Sequence, residues 1–215
     1  MKRIDMETWS RREQYQYFSG MQWPYVALTC EVDITPLRSF MQARKVPGYI
    51  GMIHLVTKAV NSVPQLRLRI EDGCVYEHEV VHPSFTLLDN AEELRFCRAQ
   101  HSDDAGVFIA RTRELVERTK SGQADALSAT SQDVVYLSCV PWVHFTAVSH
   151  PMNHTPPDAI PRITWGRYQP RGERLVVAMS LQTHHGLADG LHISRFMLKI
   201  GELCAAPEEA FAGLK

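Results

Sequence analysis

The sequence lacks any C-x-x-C pair, any surplus of charge of one sign and any apolar run long enough to cross a bilayer. Its five cysteines, Cys30, Cys74, Cys97, Cys139 and Cys204, are odd in number and widely scattered, which signals neither a disulfide framework nor a zinc knuckle. Reduced thiols in a cytoplasmic setting fit that usage. Lys and Arg number 23 against 24 Asp and Glu, a formal charge of −1, so no global basic field exists to hold nucleic acid or an anionic membrane. The chain starts Met-Lys-Arg-Ile-Asp-Met-Glu, with acids where a secretory signal needs an apolar run, and export is not expected. Residues 134–157 carry no Asp, Glu, Lys or Arg, yet their prolines and histidines argue against a membrane-spanning helix. Repeats, low-complexity tracts and long linkers are missing too, so a single domain over 1–215 is expected.

What is present is 45% apolar residues in a chain of 215, enough for a sizeable core, with helix and strand signals alternating from end to end. Ser10 and Glu13 form a capping-box pattern ahead of a short helix to Phe18. Residues 25–34 alternate like a half-buried strand, Thr35-Pro36 opens a helix stopped by Pro47-Gly48, and the apolar spacing over 49–63 predicts a core helix closed by Pro64. Asp72-Gly73 predicts a hairpin turn, and 85–88 with 94–98 form a second strand pair. An amphipathic helix over 104–120, a polar loop over 121–133, strands near 134–138, 142–148, 162–169 and 175–183, and a last helix through Ile193, Phe196, Ile200 and Leu203 follow. The pattern predicts an α/β two-layer sandwich with a mixed β-sheet.

Residues 175–196 carry the densest chemistry. A strand delivers His184 and His185 into a tight loop, which returns through Asp189-Gly190 into a helix. Histidine accepts a proton near neutrality, so one held at a strand end and facing a cleft suits a general base. By itself a His-His pair is more often a surface or satisfied core feature. Here it opens His-His-x-x-x-Asp-Gly, the signature shared by CoA-dependent acyltransferases, and the chain resembles the chloramphenicol acetyltransferase family in particular. Further blocks carry the resemblance in order, among them Trp9-Ser10-Arg11-Arg12-Glu13, His82-Pro83-Ser84-Phe85-Thr86, Ser138-Cys139-Val140-Pro141-Trp142 and Thr164-Trp165-Gly166-Arg167-Tyr168.

The resemblance implies a chloramphenicol-acetyltransferase-like fold and transfer of an acetyl group from acetyl-CoA, as co-substrate, to a hydroxyl of chloramphenicol. No permanently bound cofactor or metal is implied. His185 matches the catalytic base, Ser138 the hydroxyl that stabilises the oxyanion, and Asp189 with Arg11 the pair supporting the loop. Thr164 matches a hydroxyl that holds the intermediate through water, and Tyr168 a CoA contact. Tyr17 and Phe18 are suited to stacking on an acceptor. The family further implies a homotrimer with active sites at subunit interfaces, and the cysteine usage and the start of the chain place it in the cytoplasm as an expectation. Ala188 and Leu191 stand where the family commonly has a cysteine and an aromatic residue. Residues 90–98 leave open whether Leu94, Arg95 or Phe96 faces the acceptor.

The alternatives are a family member acting on another hydroxyl acceptor, a non-catalytic relative that binds CoA or a small ligand, and the acyltransferase core of 2-oxo-acid dehydrogenase complexes. The brevity of the chain and its Arg-Arg-Glu block weigh against the last. His150, His154 and Asp158 are ligand-type residues, but the intervening prolines preclude the helix that would align the histidines on a metal. The aromatic and basic residues near the N-terminus suit single-stranded nucleic acid, a partner that near-neutral charge disfavours.

Overall fold

The computed structural model describes residues 1–123 and 131–214. Its elements run β1 (Lys2–Arg3), α1 (Arg12–Ser19), β2 (Tyr25–Asp33), α2 (Thr35–Ala43), α3 (Gly48–Asn61), β3 (Leu68–Glu71), β4 (Cys74–Glu77), β5 (His82–Leu88) and β6 (Leu94–Arg98). Then follow α4 (Ala105–Lys120), β7 (Val134–Val140), β8 (Arg162–Gly166), β9 (Gln169–Arg171), β10 (Arg174–His184), α5 (Gly190–Ala205) and α6 (Pro207–Ala210). The main sheet has the strand order β2-β10-β8-β7-β5-β6, with β9 on β10, and β1, β4 and β3 form a small second sheet. Strand β7 runs parallel to β5 and β8 while the other pairs are antiparallel, so the sheet is mixed.

Alternation along the strands sorts the two faces. Phe85, Leu137, Ile163 and Leu181 point into the core shared with the helices, together with Ile53 and Val60 of α3 and Phe196 and Ile200 of α5. Burial of α3 exceeds one face: nearly every residue from Ile50 to Val60 is buried, because the helix lies under the sheet with α4 and α5 beside it. Gly51 permits that packing, since a Cβ there would come within 2.5 Å of Met41 Sδ.

The opposite face carries hydroxyls. Ser138 is in register with Thr164, Thr164 with Ser180, and Ser180 with Thr29, while Thr86 pairs with Phe96 at the far edge. One row of side chains therefore crosses the sheet from β6 to β2, polar through its middle.

Several local expectations need correction. Ser10 does not cap α1; Arg11 holds the N-cap position without a side-chain bond, since a guanidinium has no acceptor to offer the helix N–H groups, and it donates to Asp189 instead. Helix α2 begins at Thr35 itself, whose N–H and hydroxyl both donate to Asp33 Oδ1. Residues 142–148 form no strand. They cross the polar face as an irregular segment, with Val143 O accepting from Arg167 N and, with Phe145, lying on Gly166, where a Cβ would meet atoms at 3.0–3.1 Å. The strand expected over 162–169 is broken after Gly166 and resumes as β9. Part of the polar loop, 124–130, lies outside the described residues. The Asp72-Gly73 turn forms as the spacing predicts, both residues taking positive φ, 49° and 74°.

Candidate active site

Strand β10 ends at His184, and the chain then makes a tight loop into α5. The His185 N–H donates to Pro24 O at 2.7 Å, tying the strand exit to the start of β2. Phe18 stacks on the His185 ring with centroids 3.7 Å apart and planes within 9°. His185 Nδ1 is buried and has no hydrogen-bond partner among the described residues. Gly186 sits where a Cβ would meet Tyr15 Cα at 3.0 Å and the His184 ring at 3.1 Å, so the absent side chain lets α1 close onto the loop.

Asp189 caps α5 by accepting from Leu191 N at 3.0 Å, with Oδ1 also 2.8 Å from His192 Nδ1. Its other oxygen accepts from Arg11 Nη1 at 2.6 Å, and Arg11 Nη2 reaches the carbonyl of His185 at 3.3 Å. Burial alone would raise the Asp189 carboxyl, but the Arg11 bond and charge, with His192 and the Leu191 N–H, outweigh it and hold the group at about 2. His184 is fully buried, and desolvation, with the neighbouring His185, brings it down to about 4; its Nδ1 accepts from Gly186 N at 3.2 Å. The two histidines thus part company: one is a neutral internal brace, the other sits partly exposed at the loop.

Ser138 lies in a different compartment of the same chain. A cavity of about 610 Å³ opens on the polar face, lined among others by Thr86, Phe96, Tyr136, Ser138, His150 and Thr164. Ser138 Oγ and Thr86 Oγ1 are 3.3 Å apart, and Thr164 Oγ1 is 3.1 Å from His150 Nε2. Neither His185, Phe18, Tyr17 nor Tyr168 is among the residues lining it. Tyr17 is 67% exposed and meets Phe18 edge-on. The expected aromatic wall for an acceptor is therefore not assembled inside one chain; Phe18 is occupied by His185 instead. Tyr168 packs against the core, where burial raises its hydroxyl to about 12.

The structure places residues that the sequence left open. Leu94 and Phe96 line the cavity, whereas Arg95 turns away to pair with Asp89. Ala188 is buried and Leu191 is exposed. His150, His154 and Asp158 diverge: His150 faces Thr164, His154 lies beside Trp23 and Tyr25, and Asp158 pairs with Arg162. Arg69, which no sequence pattern marked, is fully buried with its donors on the carbonyls of Leu66, Leu68, Gln132 and Val134. It braces the start of β7, the strand that carries Ser138. No helix among the described residues is long and apolar enough to cross a membrane.

Comparison with known proteins shows the family and the fold. A family model described as chloramphenicol acetyltransferase matches residues 1–201. Chloramphenicol acetyltransferase 3 of Escherichia coli is 29% identical over 204 residues, covering 94% of this chain and 96% of that protein. A chloramphenicol acetyltransferase of Streptomyces acrimycini is 28% identical, with 95% and 94% covered. Among solved structures, a chloramphenicol acetyltransferase superposes with a TM-score of 0.84 at 23% identity, covering 94% of this chain and 99% of that one. The dihydrolipoamide acetyltransferase of Azotobacter vinelandii gives 0.71 at 19%, covering 92% and 88%, a likeness of fold.

Proposed function

Because the chain belongs to the chloramphenicol acetyltransferase family, we propose that it moves an acetyl group from acetyl-CoA to a hydroxyl of chloramphenicol. The chemistry is that of an acyltransferase, with acetyl-CoA as co-substrate. His185 takes the proton of the acceptor hydroxyl as its oxygen attacks the thioester carbonyl. With Nδ1 shut inside the chain, Nε2 is the nitrogen left to meet that hydroxyl. Negative charge gathers on the carbonyl oxygen and is met by the Ser138 hydroxyl. The C–S bond then breaks, and the CoA thiolate recovers the proton from His185. No acyl-enzyme forms, because the acceptor itself is the nucleophile.

The observation that carries this reading is the Arg11 guanidinium, which holds Asp189 with one nitrogen and the His185 carbonyl with another. It leaves Asp189 supporting the loop rather than relaying protons to the imidazole. A second feature bears on assembly: Ser138 and Thr164 line the cavity while His185 does not. We read the complete site as lying between copies of the chain in a homotrimer, His185 of one copy acting on an acceptor in the cavity of its neighbour. We read the protein as one acyltransferase domain that acts in the cytoplasm to inactivate the antibiotic by acetylating it.

Purified protein given acetyl-CoA and chloramphenicol should release CoA thiol, and His185→Ala should abolish the release. No thiol release with any hydroxyl acceptor overturns the transferase reading. Release with other alcohols but not chloramphenicol reassigns the acceptor. A monomeric mass in solution removes the interfacial site.

A further inference from the structure

The cavity contains a histidine of its own. His150 lines it, and its Nε2 is 3.1 Å from the hydroxyl of Thr164. The ring is set by its backbone: the His150 N–H donates to Oε1 of the buried Gln182 at 2.9 Å, and Pro151 follows at once. Thr164 is itself 1% exposed, in register with Ser138 on one side and Ser180 on the other. Its hydroxyl therefore has few ways to turn, and the imidazole takes one of them.

We propose that His150 is a positioning residue for acyl transfer, which, by donating from Nε2 to Thr164 Oγ1, turns the threonine proton into the cavity beside Ser138. The inference rests on the acetyl-transfer reading above. A hydroxyl offers one proton and two lone pairs. If Thr164 gave its proton to the imidazole, only lone pairs would face a carbonyl oxygen that is gaining negative charge. If the imidazole donates, the threonine proton is free to point at that oxygen or at a water bound to it, beside the proton of Ser138. Burial first, and Arg162 second, hold the His150 ring below the ordinary imidazole value. Near neutral pH the ring is then uncharged, and one N–H must be placed on either nitrogen. No group among the described residues competes for Nε2 besides Thr164.

A double-mutant cycle tests this. His150→Leu and Thr164→Val should each lower kcat for acetyl transfer about tenfold, the size of one neutral hydrogen bond. The double variant should lose no more than the larger single loss, since both changes remove the same oriented proton. His150→Gln, which keeps an N–H donor at similar reach, should restore most of kcat. Additive losses in the double variant overturn the proposal. So does a His150→Leu effect confined to the KM for the acceptor, which would make the ring an acceptor contact. If His150→Leu fails to fold, His150→Asn, polar but too short to reach Thr164, takes its place in the cycle. Wild-type protein that releases no thiol fails the underlying reading instead, a separate result.

Discussion

Arg11 and Asp189, 178 positions apart in the chain, meet at 2.6 Å, and the same guanidinium touches the carbonyl of His185. One side chain from the first helix thus anchors both the cap of α5 and the loop that carries the proposed base.

Breaking that pair should cost activity more than stability. Arg11→Ala or Asp189→Asn should lower kcat of thiol release by about a hundredfold, because the loop loses its anchor, while a part-exposed ion pair contributes on the order of 1 kcal/mol to folding. The Asp189 carboxyl, held at about 2, adds stability above its unfolded value of 3.8 that is lost as pH falls from there toward 2. Steady-state kinetics and thermal melts on the same variants separate the two effects.

Two buried imidazoles set the acid limit at a higher pH. His54 is brought down to about 4 by burial against the opposing bond from its Nε2 to Ala210 O, and His184 to about 4 by burial and His185. Unfolded, both take up protons near 6.5; folded, only near 4. Stability present above 6.5 should therefore fall progressively toward pH 4, by a few kcal/mol in all. Denaturant midpoints measured across that window should drop, and His54→Leu should make the slope shallower even though it lowers the midpoint at pH 7.

Cys139 sits next to Ser138 but on the other face of β7. Burial pushes its thiol up to about 12, and Cys204 likewise. Neither should react with an aromatic disulfide reagent in the folded protein, and both should react once guanidinium unfolds it. Rapid labelling of Cys139 with parallel loss of activity would contradict the strand register.

Gly186→Ala should be damaging despite its small size. The added methyl would press on the Tyr15 backbone at 3.0 Å, which cannot yield as a flexible side-chain end would. A destabilisation of about 1–3 kcal/mol is expected by thermal or chemical unfolding. Thiol release should fall more than tenfold, as α1 is pushed off the loop that it braces.

Much of this was legible in the residues. The Asp72-Gly73 turn, the amphipathic α4 and the apolar strands were readable because local backbone preference and burial pattern agree there. The stretch over 142–148 misled because its apolar residues resemble a strand, yet it lies over the sheet rather than in it. Arg69 gave no local signal: its value comes from four carbonyls that only the fold collects. The Ser10–Glu13 capping pattern failed because the helix starts one residue later, with Arg11 rather than Ser10 at the N-cap.

The sequence by itself carried the resemblance that implies the class of chemistry, since His-His-x-x-x-Asp-Gly, the serine block and the arginine helix each lie in a short stretch that can be matched before any packing is known. Tertiary structure alone decided how those pieces are distributed. It put His150 on Thr164, turned Arg95 away from the cavity and Phe96 into it, and separated Ser138 from His185 within one chain. Those outcomes depend on strand register and on contacts between residues far apart in sequence, and a shift of one residue in register would have sent each side chain to the other face.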